Sequence, residues 1–375
     1  MSRFRGLTWD HPRGRDALER SAAAAGDLIE WHVHTLEGFE SAPINETAAR
    51  YDVIVLDHPH LGDAIATNSL RPLGELFDPV WLASLAASSV GPSMASYLLD
   101  DQYWALPLDA ATQVAVLDPA RVSAAPQTWA EVTALSHAEP VALSLAGPHA
   151  FLTFASLCVA LGEEPRTIPG QGFVSRETGT AALELLGDLA SRMPAATTEL
   201  NPIGLLERMR RDRDISYIPL VYGYVNYSTG EAPLRFVDAP AISAGARRGS
   251  TIGGTGLAVS RFADIDDDLV RYLAWHLDPL TQATVIPDNA GQPSARSAWL
   301  NPRVNAATGD FFTGTIATID ESWVRPRVAG FTPFQSEASA ALRAAILGLA
   351  DAAGTLETID ELFDGLDTAA RKEAP

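Results

Sequence analysis

Short apolar runs alternate with amphipathic stretches through the first 110 residues. Residues 4–9 read as a strand, Asp10 to Gly14 as a loop, and Asp16 into the run Ala22–Ala25 as a helix. A second strand follows with period two, Ile29, Trp31 and Val33 on one face and Glu30, His32 and His34 on the other. Residues 51–56 form a short apolar run that stops at the turn-forming Asp57-His58-Pro59-His60. Apolar strands alternating with helical patterns predict crossover units and a parallel sheet covered on both faces.

A second region opens near Trp104. Residues 113–117 read as a strand, and Thr128 caps a helix that begins Trp129-Ala130-Glu131. Helical patterns dominate from about 150 to 215, notably Thr178–Arg192 and Ile203–Arg211. Residues 215–221 return as a strand, which runs into Tyr222-Gly223-Tyr224-Val225-Asn226-Tyr227, and residues 250–259 form a glycine-punctuated strand. Helices resume at Asp266–Leu277 and Ser336–Ala352. No internal repeat of 20–50 residues interrupts this order.

Composition narrows the function classes. The 375 residues suggest two or three domains at roughly 150 residues each. A hydrophobic fraction of 47% excludes disorder as the main description. Against 47 Asp and Glu stand only 27 Lys and Arg, a formal charge of −20 that argues against nucleic acid and anionic lipid as partners. The single cysteine, Cys158, excludes a disulfide framework and any multi-cysteine metal site. No segment reaches the roughly 18 uninterrupted apolar residues of a membrane span. The start at Met1 shows no basic-apolar leader and no lipid-bearing cysteine, so the expected location is the cytoplasm. The alternative is a periplasmic or extracellular protein whose export signal has been removed.

The chemistry concentrates in a repeated tripeptide. Asp10-His11-Pro12 follows the first expected strand and Asp57-His58-Pro59 the third. In a sheet of order 2-1-3 those strands are neighbours, and ligands bind outside the carboxyl ends of such strands. Each Asp-His-Pro also reads as a plain turn, with Asp capping and Pro ending the strand. Three chemistries fit a functional reading. His11, Arg13, Asp57 and His58 would hydrogen-bond a polar ligand. His11 or His58, oriented by Asp10 or Asp57, would act as general acid or base. His11, His58 and His60 are weaker candidates for a divalent metal.

Further candidates lie downstream. Tyr222, Tyr224 and Asn226 offer ring faces with a hydroxyl or amide. Alternation after Ile218 and Leu220 predicts that Tyr222 is the more buried tyrosine. Asp109 and Gln113 stand where the chain is expected to cross between domains, and Asn289 and Gln292 lie in or beside the Pro287–Pro293 loop. Residues 253–256, Gly-Gly-Thr-Gly, lack the layout of a dinucleotide fingerprint, and Cys158 sits in an apolar helical stretch as a core thiol. No cofactor motif is present, so none is expected.

The ordered series of short motifs resembles the sugar-type bacterial extracellular solute-binding proteins, the receptors of ABC importers. Its residues are Tyr51–Asp57, Leu70–Leu76, Trp104–Gln113, Thr128–Val132, Gly253–Val259, Gly291–Pro293 with Ala298-Trp299, and Val324–Arg327. The resemblance implies an α/β fold of two lobes, each a mainly parallel sheet flanked by helices, with a ligand cleft between lobes that closes by hinge motion. It places residues 1–108 and about 253–305 in the first lobe, and about 109–252 and 306–375 in the second. It implies a sugar or related polyol or acid as ligand, and an ABC permease as partner if the chain is exported. The competing expectation is a cytoplasmic enzyme on the same fold, using the Asp-His pairs for lyase, hydrolase or isomerase chemistry.

Overall fold

The structure, a computed structural model, describes residues 3–26, 28–35, 38–39 and 42–373, with side chains through residue 366. Met1, on which the expectation about export rests, lies outside the described residues. The chain divides into two compact units. Unit 1 holds residues up to Ala111, Gly253–Ala307 and Arg327–Thr332; unit 2 holds Thr112–Ile252, Thr308–Pro326 and the chain from Pro333 onward.

In unit 1, strands β1 (Phe4–Trp9), β2 (Ile29–His34) and β3 (Val53–Leu56) lie in the order β2-β1-β3. β1 runs parallel to both neighbours, Phe4 opposite Ile29 and Gly6 opposite Val53. All four residues of β3 are buried, as a central strand with both faces covered requires. A two-residue ribbon, β4 (Leu98–Leu99) with β5 (Gln102–Tyr103), precedes the long strand β6 (Leu106–Leu117). Ile44, Leu61, Leu70, Tyr97 and Ala105 form a core cluster with Ile54 and Leu56 of β3.

Residues 10–14, expected as a loop, are helical from the third residue. The helix Pro12–Ala24 starts four residues earlier than its apolar pattern suggests. Pro12 fits the first helical position, where no N–H is needed, and the His11 ring caps the end by accepting the Arg13 N–H. Residues 327–332 correct the expected second lobe. They pack in unit 1, where Arg327 donates to the carbonyls of Ala95 and Leu98 at 2.9 and 2.7 Å and Gly330 N–H to Asp63 at 2.8 Å.

In unit 2 the second half of β6 pairs antiparallel with β7 (Tyr217–Tyr222) and with β8 (Arg235–Val237). The sheet is therefore mixed rather than mainly parallel, and in unit 1 β9 (Ile252–Val259) likewise runs antiparallel to β3. The helix His149–Ala160 is buried along all twelve residues, which explains its apolar character all round. Phe151, Phe173, Phe334 and Phe363 close the core beside it, Phe151 and Phe173 with centroids 5.1 Å apart. Cys158 is wholly buried there, and burial pushes its thiol pKa up, as suits an inert core thiol. Among the described residues no helix is long and apolar enough to cross a membrane.

Candidate functional site

The adjacency of β1 and β3 puts both Asp-His pairs at the carboxyl ends of neighbouring parallel strands. Their side chains then diverge from the sequence expectation. Asp10 is exposed and pairs with Arg15. The His11 ring stacks on Trp9, centroids 5.2 Å apart and planes 8° from parallel. Burial first, then Arg13 and Arg15, bring its pKa down to about 4, so the ring is neutral at pH 7. With Nδ1 accepting the Arg13 N–H at 3.1 Å, His11 caps the Pro12–Ala24 helix.

Arg13 is buried and binds Asp109 through two nitrogens, Nε to Oδ1 at 2.9 Å. The same Oδ1 accepts the Gln292 N–H at 3.3 Å, and Gln292 Nε2 donates to the Ala110 carbonyl at 3.1 Å. Three of the candidate ligand residues thus meet, with Asp109 bonded to both Arg13 and Gln292. The cluster also explains the glycine run. Gly254 has φ +98°, and a Cβ there would stand 2.3 Å from the Asp109 carbonyl oxygen.

At the end of β3, Asp57 accepts the His58 N–H at 2.8 Å and stands 3.0 Å from His58 Nδ1. His58 itself has no exposed surface and meets the Tyr97 ring edge-on at 6.4 Å. His60 is buried and lines a small hollow with His34 and Phe39. Among the described residues no three His, Cys, Asp or Glu side chains gather where they could hold a metal, so the metal reading of His11, His58 and His60 lacks a ligand set. Asn289 is placed elsewhere, its Nδ2 donating to the Val285 carbonyl at 2.8 Å to close the short helix Val285–Asp288.

Unit 2 differs. Gln113 is wholly buried, its Nε2 donating to Thr153 Oγ1 at 3.3 Å and its Oε1 accepting from Ser156 Oγ at 2.6 Å. It ties β6 to the His149–Ala160 helix and is not available to a ligand. Tyr222 is half-buried and Tyr224 buried, the reverse of the expectation from alternation. The reason is local: β7 ends at Tyr222 and residues 225–227 turn into a single 3-10 turn, so period two stops at Gly223. Tyr224 lies edge-on to Tyr227, whose hydroxyl donates to Glu207 at 2.8 Å. Asn226 is half-buried, and its Oδ1 is shielded from solvent without a hydrogen-bond partner among the described residues.

Sequence reasoning missed His149. It begins its helix, 5% exposed, with a buried Nδ1 that has no partner among the described residues. Its ring meets Tyr222 edge-on at 6.0 Å. Burial, then the charge of Arg325, push its pKa down to about 3. Arg325 is buried as well and donates to Gln335 Oε1 at 3.2 Å. The available signal was Gly147-Pro148-His149, a polar residue heading an otherwise apolar helix.

The sequence matches no protein-family model and no curated protein. Solved structures do match, and they define the fold as the two-lobed fold of ABC transporter solute-binding proteins. One is a solute-binding protein from Agrobacterium radiobacter K84 in complex with ribitol, 17% identical, with a TM-score of 0.77 over 97% of this chain and 98% of that one. Maltose-bound MalE3 of T. maritima is 15% identical, with a TM-score of 0.77 over 97% and 99% of the two chains. A solute-binding protein from Agrobacterium vitis S4 with bound D-mannitol is 17% identical, with a TM-score of 0.74 over 98% of each chain.

Proposed function

We propose that this protein is a solute-binding protein for an uncharged, hydroxyl-rich small molecule, a sugar or polyol. The observation that carries the reading is that two candidate polar atoms of unit 2, His149 Nδ1 and Asn226 Oδ1, are buried without a hydrogen-bond partner among the described residues, in a chain of this fold. A hydroxyl donates or accepts as its partner demands, so a polyol suits both atoms. Tyr222, beside His149, adds a ring face for stacking on a sugar. Arg13, the arginine that the sequence offered for an acidic ligand, is neutralised by Asp109, which favours an uncharged ligand. The similar structures hold ribitol, maltose and D-mannitol, which supports the same class. An ABC permease in the cytoplasmic membrane, met from its outer side, is the partner this reading calls for. The enzyme reading is weaker, because Asp10 is engaged by Arg15 and His58 is wholly buried.

The test combines native mass spectrometry of the freshly purified protein with calorimetric titration of ribitol, D-mannitol and maltose. A bound mass of a few hundred daltons, or saturable binding of one of the three at micromolar concentration, is expected, within the usual range of specific small-ligand sites. A bare mass together with no binding heat from any of the three would overturn the proposal.

A further inference from the structure

Unit 1 contains a cleft of about 750 Å³ at the opposite end of its parallel strands from the Asp-His pairs. Arg3, just before β1, and Leu28, just before β2, line it at the amino-terminal edge. Opposite them stands one face of the helix Asp267–His276, carrying Asp268, Arg271, Tyr272 and Trp275 at helical spacing. The end of the Pro12–Ala24 helix contributes only small side chains there, which leaves the space open.

The floor of the cleft is polar in composition but closed in its bonding. Trp31 Nε1–H donates to the Tyr272 hydroxyl at 3.0 Å, and that hydroxyl meets Ser21 Oγ at 2.6 Å. His276 Nδ1 lies 2.9 Å from the Tyr272 carbonyl, which can only accept, so Nδ1 carries the proton. Nε2 is then an acceptor, 2.9 Å from Ser21 Oγ. Each of these groups is satisfied by another, so the floor asks no hydrogen bond of an occupant. The walls are apolar: Ala24, Ala25, Leu28 and the indole of Trp275, 38% exposed.

The mouth is charged. Asp268 pairs with both Arg3, at 2.9 Å, and Arg271. Asp266 pairs with Arg3 as well, so Arg3 is held by two carboxylates and Arg271 is the guanidinium at the mouth with donors to spare. The Arg271 side chain is 69% exposed and bonds Asp268 through a single nitrogen, leaving its other donors open to solvent. Guanidinium groups with spare donors favour a planar anion. We propose that this cleft binds a small amphiphilic anion, with a flat apolar body between Trp275 and the two alanines and a carboxylate or sulfonate at Arg271. Its volume falls within the roughly 300–1,000 Å³ of small-molecule sites. This site is separate from the sugar or polyol site and does not depend on it.

The test titrates the full-length protein with 1-anilinonaphthalene-8-sulfonate, following dye fluorescence, and with uncharged N-phenyl-1-naphthylamine for comparison. A single saturable site is expected, with the uncharged dye binding more weakly. Ala24→Leu fills the cleft and Trp275→Ala removes its wall, and each is expected to weaken dye binding about fivefold or more. Arg271→Gln should weaken the sulfonate dye about threefold and leave the uncharged dye unchanged. Thermal unfolding confirms that each variant is folded, and ribitol titration of the same samples reads the other site. Dye binding unchanged in both Ala24→Leu and Trp275→Ala would overturn the site. Equal affinity for the two dyes would overturn the anionic class. Sedimentation showing a dimer that dissociates as dye binds would assign the cleft to a second copy of the chain instead.

Discussion

The two sets of candidate residues handle buried polarity in opposite ways. In unit 1, Arg13, Asp109 and Gln292 form a closed cluster, Asp10 is taken by Arg15, and His11 caps a helix. In unit 2, His149 Nδ1 and Asn226 Oδ1 are buried without partners among the described residues. A buried polar atom without a partner costs about 1–3 kcal/mol, so it persists where a ligand or water completes it. The comparison separates residues that hold the fold from residues that can hold a solute, although the two look alike in sequence. The imidazoles show this most directly. His11 and His149 are both kept neutral by burial, but among the described residues only His11 of the two has a partner for its Nδ1.

The largest effect should come from breaking the closed cluster. Asp109→Ala leaves the buried Arg13 guanidinium without its carboxylate and should cost about 3–5 kcal/mol in urea unfolding. Replacing both partners, Arg13→Met with Asp109→Leu, should recover most of that loss. A single variant as stable as the parent would show that the cluster is not what holds this part of unit 1.

Acid should act next. His11, His149 and His276 have folded pKa values of about 4, 3 and 4, all below the ordinary 6.5. Between 6.5 and these values the unfolded chain binds more protons than the folded one. Their contribution is therefore complete above pH 6.5 and is lost as pH falls toward 4, by up to about 1.4 kcal/mol per pH unit for each ring. His11→Gln should flatten the stability-against-pH curve between pH 6 and 4.5 while leaving sugar or polyol affinity intact. If the slope did not change, His11 would not be held neutral by its surroundings.

His149 sharpens the contrast. His149→Phe should leave stability unchanged or raise it, because it removes an unsatisfied buried nitrogen, while weakening the bound solute about tenfold in calorimetry. Equal loss of affinity from His11→Gln and His149→Phe would erase the distinction between the two sets. The smallest effect is expected of Asp10→Asn, which loses an exposed pair with Arg15 and should change stability by less than about 1 kcal/mol. A large loss of solute affinity in that variant would return Asp10 to the binding site.

Much of unit 1 was legible. Strands of four to six residues with unbroken apolar or period-two patterns declared themselves, and the order β2-β1-β3 followed from crossover rules. The start of the first helix was misread because the apolar pattern begins after the turn that Pro12 and the His11 cap nucleate. Tyr222 and Tyr224 exchanged roles because a strand end cancels the period that ranked them. His149 went unread because its neighbours Tyr222 and Arg325 are 73 and 176 positions away along the chain.

By itself, then, the sequence determined which segments become strands and helices and that β1 and β3 end in matching Asp-His turns. These follow from side-chain period, proline and caps, all of which act within a few residues. Only the tertiary structure decided which of those polar side chains has a partner. Whether an arginine or an imidazole is neutralised depends on charges brought from distant positions, as Asp109 is brought to Arg13 across 96 residues. Whether a nitrogen is orphaned depends on what burial withdraws from water, and neither is written in any local pattern.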